Sequence, residues 1–323
     1  PVDIPQARMF PEVGQLAAYE RFYDHRGNRI FFRSSPWGGH SHAHADQNGF
    51  VLHADGEIMA CDAGYYTYCG DTYHHKWSVT TQAHNSILVN GGGQPKSITS
   101  RGRIPGFFNT PDACLFLGDA SEAYGDALDQ FDRAVLFIRP DVYVVYDELR
   151  AAEPSTFTWT LNAFAPAAVD ETQSTMIVPQ RDQRLRIRHV APAQLAYTQT
   201  NERPYPMLTK AFCRYTEAFP QPHNIRVTAT QKQQQQRFLA VMDTYSQSRG
   251  ARVQDVRRID AGDALATTFR TGDRNTLVVF STRERSVGTV STAGDIASDG
   301  RVTAVTRTGE NRVEHWLVHH GTH

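Results

Sequence analysis

The sequence lacks the features of a membrane-spanning or nucleic-acid-binding protein. None of its apolar runs approaches about 18 consecutive residues, the length that reads as a transmembrane helix. Lys and Arg number 33 against 34 Asp and Glu, which gives a net charge of −1. The strong basic excess of proteins that bind nucleic acids or membrane surfaces is therefore missing. A local basic patch could still bind an acidic ligand.

Cysteine is scarce, and a signal peptide is missing. The cysteines are Cys61, Cys69, Cys114 and Cys213. Their spacing contains no CxxC, which excludes a zinc ribbon and a dense disulfide framework. We expect buried free thiols rather than a bridge, because cysteine is among the residues most often buried. The first residues have neither a basic region nor a long apolar one, and the chain begins without Met. We therefore expect a trimmed chain, whose start says little about its compartment.

Alternation of apolar and polar residues with a period of two dominates the chain. The segments that predict strands are Arg29–Ser34, Gly49–His53, Glu57–Cys61, Ser86–Asn90, Ala113–Leu117, Arg133–Arg139, Val142–Asp147, Thr156–Leu161, Arg184–Val190, Ile225–Thr230, Phe238–Met242, Asn275–Phe280 and Val313–Val318. Turn signals such as Ala54–Glu57 separate them at the spacing of hairpins. Helical periodicity is plausible only in residues 1–25 and Thr209–Phe219.

These patterns predict an all-β fold, an antiparallel β-sandwich of hairpin-connected strands, because no long helices alternate with the strands. A polar, Gly-containing stretch, Thr244–Ala251, predicts a boundary near residue 248. It would divide a β-sandwich domain of residues 1–248 from a small C-terminal antiparallel β subdomain of residues 249–323. The biased run Gln231–Gln236 is interpreted as a hairpin loop. No internal repeat at a fixed period is present.

Histidines are concentrated in one part of the chain. Seven of the 14 histidines lie between positions 40 and 84. If the run before strand Gly49–His53 is extended, a period of two places His40, His42 and His44 on one face. Such a stripe suits the floor of a cleft, where one ring binds a metal and its neighbour faces a substrate.

Two further residues are expected beside this stripe. Asp62 follows the second strand of a predicted hairpin, which returns it toward the histidines, and His84 precedes the strand Ser86–Asn90. Two imidazoles and one carboxylate with an open fourth position are a common zinc set. A His-x-His pair on a strand also occurs on surfaces without any ligand, so the spacing leaves both interpretations open.

Short motifs follow one another in a recognisable order: His42–Asp46, Gly49–Phe50, Asp62–Tyr66, Ala83–Ser86, Phe131–Arg133, Phe137–Pro140, Val144–Asp147 and Trp159–Leu161. This ordered set resembles the β-sandwich half of the heparinase II/III-like polysaccharide lyases. That family includes heparin and heparan sulfate lyases and exo-acting alginate (oligoalginate) lyases. The resemblance covers about residues 20–245, and it lies in the order of the motifs, since each alone is weak.

The resemblance implies roles for particular residues. His44, Asp62 and His84 match the positions that hold a structural zinc ion in the family, and His42 matches an active-site histidine that faces the substrate uronate. Tyrosines in the same region match the lining of the sugar cleft. These are Tyr65, Tyr66, Tyr68 and Tyr73.

Several neighbouring residues have two interpretations. Asp46 and Asn85 are adjacent to the implied ligands, so they either orient the imidazole rings or cap turns. Trp77, like Trp37, either stacks on sugar or packs in the core. We expect His40 and Trp77 to contact substrate. The pair His74–His75 is interpreted as an exposed loop.

The implied reaction is β-elimination from a 4-linked uronate. A neutralised carboxylate acidifies the C5 proton, a base removes it, and an acid protonates the leaving O4. His42 could serve as base or as hydrogen-bond donor, since its ordinary pKa of about 6.5 permits both. Family members carry an N-terminal (α/α) toroid that supplies a Tyr, a further His and a carboxylate neutraliser. No such helical array precedes Pro1, so the chain is either an excised C-terminal part or a short relative that has lost the toroid. We expect the first, a part that is inactive alone and packs against an upstream toroid.

The resemblance also implies a periplasmic or secreted location and an acidic polysaccharide substrate, either a glycosaminoglycan or alginate. Two other classes of protein remain open. One is a non-catalytic carbohydrate-binding β-sandwich, and the other is a zinc-dependent hydrolase. A lyase gives an unsaturated product that absorbs ultraviolet light, a hydrolase gives only new reducing ends, and a binding module gives neither.

Overall fold

The computed structural model describes residues 4–36, 43–62, 72–202, 204–205, 221–282, 291–293, 296–298, 300–309 and 312–319. Throughout these residues the strands form antiparallel sheets, which confirms the all-β prediction. Within the same residues, no helix is long and apolar enough to cross a membrane.

Hydrogen bonds between neighbouring strands define the order of the strands in each sheet. The first sheet contains, in that order, β1 (Ala7–Phe10), β2 (Gln15–Tyr19), β3 (Arg29–Arg33), β4 (Gly49–Ala54) and β5 (Glu57–Ala60). The second contains β12 (Ala168–Asp170), β13 (Thr175–Gln180), β14 (Gln183–Ala191), β17 (Gln233–Ser246), β10 (Val142–Ser155), β9 (Gln130–Ile138), β8 (Ala113–Asp119) and β7 (Arg103–Asn109). The third contains β15 (Leu195–Thr200), β16 (His223–Ala229), β11 (Phe157–Ala163) and β6 (Ile87–Val89).

The C-terminal part has its own sheet. It contains β18 (Val253–Ala261), β19 (Ala264–Thr271), β20 (Arg274–Phe280), β23 (Val302–Arg307) and β24 (Val313–His319), and a ribbon pairs β21 (Ser291–Ala293) with β22 (Ile296–Ser298). The named helical elements of the described residues are short. They are 3-10 turns at Pro11–Val13, Thr81–Ala83 and Ser121–Ala127 and a π-helical turn at His74–Ser78.

The central strands of the second sheet are buried on both faces. In β9, Val135 and Phe137 pack in the core shared with the first and third sheets, whereas Leu136 between them packs against the C-terminal sheet. The Tyr146 ring of β10 stacks on the Phe280 ring of β20, with centroids 4.8 Å apart. A strand covered on both sides has no polar face, which explains the unbroken apolar runs of β9 and β10.

The thirteen strand segments predicted from the sequence are confirmed, and two other expectations are wrong. The described part of residues 1–25 contains β1 and β2, and its only helical element is the 3-10 turn at Pro11–Val13. In β2, Leu16 and Ala18 are buried while Gln15 faces outward, and this alternation outweighs the weak helical periodicity of a short segment. The glutamine run is not a loop either, because Gln235 and Gln236 pair with β10 and only the residues just before Gln233 form the turn.

Other expectations have mixed outcomes. Cys61 and Cys114 are buried free thiols, as predicted, whereas Cys69 and Cys213 lie outside the described residues. The segment Thr209–Phe219 also lies outside them. The C-terminal sheet begins at Val253, a few residues after the proposed boundary at 248, and the division into two domains stays a prediction.

Candidate metal centre

His44 lies on an irregular segment that leads into β4. Residues 43–48 form no strand, and Asn48 has a φ of 56° in the turn before Gly49. The strand β4 therefore does not extend back to His44, and an extended run through the histidines stays a prediction. His40 and His42 lie outside the described residues, so their place on a common face stays a prediction.

This segment is held by hydrogen bonds to the segment that carries His84. The Ala45 amide donates to the Val79 carbonyl at 2.9 Å, and the Thr81 hydroxyl donates to the Ala45 carbonyl at 2.8 Å. The Gln94 side chain accepts from the Gln47 amide and donates to the Gln47 carbonyl, both at 2.9 Å. Such reciprocal bonds fix two segments far apart in sequence at a defined separation.

His84 is the common member of the predicted metal set. Its Nε2 lies 3.1 Å from His44 Nδ1, and its Nδ1 lies 3.0 Å from Asp62 Oδ1. Nε2 also lies 3.1 Å from the Ser78 carbonyl oxygen. The His84 side chain is 1% exposed, whereas Asp62 is 45% exposed. His44 and Asp62 thus contact opposite ring nitrogens of His84, with the Asp62 carboxylate on the solvent side. That these three residues hold one metal ion stays a prediction.

Asp46 joins the same group. Ligand atoms of His44, Asp46 and His84 all lie within 4.8 Å of one another, so this group could hold a metal ion. Asp46 Oδ2 lies 3.4 Å from Arg33 Nη1, and Asp46 Oδ1 is buried without a hydrogen-bond partner in the described part of the chain. A buried carboxylate oxygen with no donor is costly unless a cation satisfies it.

The electrostatics of the two imidazoles differ. Burial, and then the neighbouring His84, lower the pKa of His44 to about 3, so His44 is neutral at physiological pH. Burial also disfavours the charged form of His84, but the adjacent Asp62 carboxylate outweighs it and raises the pKa of His84. Burial raises the pKa of Asp46 in spite of His84 and Arg33. A divalent metal ion requires neutral imidazole nitrogens beside carboxylate oxygens. The residue types fit one: His44 already offers the neutral form, and a bound ion would displace the proton that Asp62 favours on His84.

A second layer of buried residues supports the group. Arg133 donates from Nε and Nη2 to the Asp147 carboxylate at 2.6 and 2.9 Å, and its Nη1 donates to the carbonyl oxygens of Asn48 and Asn85 at 2.7 and 3.0 Å. The Arg133 and Asp147 side chains are fully buried. The pair therefore joins the two segments that carry Asp46 and His84. Arg133 and Asp147 belong to motifs that carry the resemblance, but sequence reasoning assigned neither residue a role at the metal centre, since neither is near the histidines in sequence.

Asn85 contacts backbone rather than an imidazole ring. Its Nδ2 donates to the carbonyl oxygens of Phe50 and Cys61 at 2.7 and 3.1 Å, and its Oδ1 accepts from the Asn162 amide at 2.7 Å. Cys61 precedes Asp62, so Asn85 holds the strand that presents this carboxylate. Its role in orienting a ligand stays a prediction, as does that of Asp46.

The predicted sugar contacts are described only in part. Tyr73 and Trp77 are 3% and 7% exposed, and they pack with Ala83 beside Tyr205. Tyr65, Tyr66 and Tyr68 lie outside the described residues, as do His40 and Trp37. His74 lies within the π-helical turn rather than in a loop, with its ring centroid 6.5 Å from that of His44.

The fold and this group define a class: an antiparallel β-sandwich that carries a buried His/Asp cluster able to hold a metal. Residues 5–241 match the family model described as Heparinase II/III-like, C-terminal. The chain belongs to the heparinase II/III-like family, which confirms the resemblance seen in the sequence motifs. No curated protein matches the sequence.

Solved structures with the same fold include a heparinase III, with a TM-score of 0.70 and 13% identity over 87% of this chain and 43% of that one. Another is the heparan sulfate lyase HepC from Pedobacter heparinus, with a TM-score of 0.68 and 17% identity over 88% of this chain and 44% of that one. A further heparinase III has a TM-score of 0.64 and 13% identity over 93% of this chain and 43% of that one. The chain thus spans less than half the length of these proteins.

Proposed function

We propose that this chain is the β-sandwich part of a polysaccharide lyase. It would cleave a uronate-containing acidic polysaccharide, such as heparan sulfate or alginate, by β-elimination to 4,5-unsaturated products. The observation that carries the proposal is the contact of His84 with both His44 and Asp62. In the sequence, His44 follows directly on the run that contains His40 and His42. Membership of the heparinase II/III-like family supports the reaction class.

Each part of the reaction needs its own group. We assign His42 to acid–base chemistry, or to a hydrogen bond to the uronate carboxylate, because it comes two residues before the buried His44 and its ordinary pKa suits both tasks. The hydrogen bonds of Ala45 with Thr81 and of Gln47 with Gln94 would limit the movement of this segment. Zinc, when bound to His44, Asp62 and His84, would supply a link between three segments distant in sequence.

The proposal includes partners and location. The sandwich would pack against a helical toroid domain of the same polypeptide, which would supply the remaining proton-transfer groups, and the enzyme would act in the periplasm or outside the cell. The solved structures of the same fold are more than twice as long as the matched part, which supports a larger functional unit.

The activity is tested on the full-length gene product. Heparan sulfate, its desulfated form and alginate are each incubated with the protein, and ultraviolet absorbance and reducing ends are followed together. Unsaturated product from any of the three supports the lyase, and the 323-residue chain alone is expected to give none. New reducing ends without ultraviolet absorbance would establish a hydrolase, and binding without either product would establish a carbohydrate-binding module.

Zinc content tests the metal set. We expect about one zinc ion per chain after purification without chelator, because a structural site is closed around a single ion. His84→Ala removes the residue that contacts both other members and should release the zinc. The thermal stability should fall with it, since a bound ion contributes about 2.7 kcal/mol when its free concentration is about 100 times Kd. His189→Ala is the matched control, because His189 is also buried but lies in β14 beside Tyr197, and it should keep its zinc.

The two carboxylates are separated by a second pair of variants. Asp62→Asn should weaken zinc binding at least as much as the loss of an outer-shell partner, about 10- to 100-fold. Asp46→Asn should weaken zinc binding less than Asp62→Asn, because one Asp46 oxygen already contacts Arg33, although Asp46 also lies within ligand distance of His44 and His84. Loss of zinc from Asp46→Asn alone would transfer the ligand role to Asp46, and unchanged zinc in His84→Ala would remove the site.

A further inference from the structure

A pocket of about 430 Å³ opens on the outer face of the first sheet and ends at the candidate metal centre. Its lining includes Phe10, Phe31 and Val51 along the sheet and Arg33, Asp46 and Asp62 at the inner end. Of the predicted sugar contacts, Tyr73 and Trp77 lie in the described part of the chain, and neither belongs to this lining. The pocket is large enough for a sugar unit, because small-molecule sites start at about 300 Å³.

The floor of the pocket is aromatic. Phe10 is 44% exposed, and Phe31 of β3 is partly exposed although both its neighbours in the strand are buried. Phe31 is held in place by an edge-to-face contact with the Tyr19 ring, with centroids 5.9 Å apart. Rigid aromatic faces open to solvent suit the apolar C–H face of a pyranose ring, and pockets of this kind take their specificity from a few polar groups.

Arg33 supplies the polar group. Its Nε donates to the Ser35 hydroxyl at 3.0 Å, and its Nη1 lies 3.4 Å from Asp46. These contacts orient the guanidinium, while Nη2 makes no hydrogen bond within the part of the chain that the structure describes. The side chain is 26% exposed. An oriented guanidinium with free N–H groups binds carboxylate or sulfate in a fork geometry.

The two carboxylates of the pocket are not free negative charges. Asp46 is buried beside Arg33, and Asp62 lies 3.0 Å from His84 Nδ1. Each carboxylate therefore has a nearby partner, and Arg33, which lines the pocket, keeps N–H groups without a partner among the described residues.

We propose that this pocket is a subsite for one anionic sugar unit of the polysaccharide, with its ring on Phe31 and Phe10 and its anionic group on Arg33. This inference rests on the proposed function and deepens it, because it assigns the recognition of the acidic group to Arg33. The anionic group is a carboxylate or a sulfate, which share this chemistry.

Calorimetric titration of the zinc-loaded protein tests the subsite. The probes are a sulfated heparan sulfate tetrasaccharide, its fully desulfated form, and neutral maltotetraose. Arg33→Gln should weaken binding of an anionic tetrasaccharide about 10- to 100-fold, the effect of losing a hydrogen bond to a charged group, and should leave maltotetraose unaffected. A loss for both anionic probes assigns the carboxylate, and a loss for the sulfated probe alone assigns the sulfate.

The strand offers matched controls. Arg29→Gln removes an arginine from the same outward face of β3, where it contacts His53 outside the pocket, and should change binding less than twofold. Phe31→Leu should weaken binding of the anionic probes, whereas Phe22→Leu, at an exposed aromatic outside the lining, should not. Arg33→Lys keeps the charge and should restore part of the affinity.

Zinc content and melting temperature are measured for every variant. If Arg33→Gln loses zinc, the comparison of Phe31→Leu with Phe22→Leu decides. Equal affinity of wild type and Arg33→Gln, or of the two phenylalanine variants, overturns the subsite while unsaturated product from the full-length protein still upholds the proposed function. If wild type binds no acidic tetrasaccharide, the subsite is wrong, and absence of unsaturated product in the separate assay would reject the function as well.

Discussion

Replacing Arg133 with Met is expected to lower the free energy of unfolding by about 3–5 kcal/mol, the range for breaking one member of a buried ion pair. The Arg133 guanidinium is fully buried against Asp147 and also donates to the carbonyl oxygens of Asn48 and Asn85. The variant leaves the buried Asp147 carboxylate without its cation, with only the Trp159 hydrogen bond beside it, and removes the Arg133 donor from two carbonyl oxygens. The loss should be visible as a lower urea midpoint with an unchanged slope.

Arg103→Met is the control for this variant. Arg103 pairs with Asp119 at 2.8 Å, but its side chain is 66% exposed, and exposed pairs contribute about 0–1 kcal/mol. The double variant Arg133→Met/Asp147→Leu should recover part of the stability, because it removes the uncompensated charge as well. Equal losses for Arg133→Met and Arg103→Met would show that burial does not control the energy of this pair.

Replacing His42 with Ala in the full-length enzyme is expected to lower kcat by roughly 10²–10⁴, the usual contribution of a positioned acid–base group. Zinc content and melting temperature should stay near the wild-type values, since the proposal gives His42 a place facing substrate and not metal. The measurement is the initial rate of unsaturated product formation, together with zinc analysis of the same preparation.

His44→Ala should affect zinc binding and stability first and activity only as a consequence. His44 Nδ1 lies 3.1 Å from His84 Nε2, so this variant should lose zinc and stability first, and activity should follow because the segment loosens. If both variants lose zinc equally, His42 is a metal ligand, and the substrate-facing role passes to His40 or to a residue outside this chain.

The sequence was sufficient for the strands whose pattern is strong. β9 and β10 are long runs of apolar and β-branched residues, and their pairing through a tight turn follows from hairpin spacing. β2 was missed because a five-residue strand with Ala17 and Ala18 has weak β propensity, and its alternation is clear only once the sheet buries one face. β17 was predicted too short, because its glutamines become strand only through pairing with β10.

For the metal centre, sequence order indicated His44, Asp62 and His84, and the structure places His84 beside each of the other two. Asp46, expected only as a neighbour, belongs to the group that could hold a metal. Arg33 could not be predicted, since its proximity to Asp46 depends on the turn at Asn48 and not on spacing along a strand. The ion pair of Arg133 with Asp147 could not be predicted either, because nothing in a sequence shows which charged residues a sheet will bury. Long-range contacts of this kind follow from topology, which local patterns do not specify.

The two-sided burial of the second sheet has a practical consequence for expressing parts of this protein. A chain that ended at residue 248 would lack the C-terminal sheet, and the face of β9, β10 and β17 that carries Leu136, Val144 and Val241 would be open to water. An exposed apolar surface of that kind favours aggregation. A shortened chain designed for biochemistry should therefore retain β18 through β24, or replace outward-facing leucines and valines by polar residues, to remain soluble.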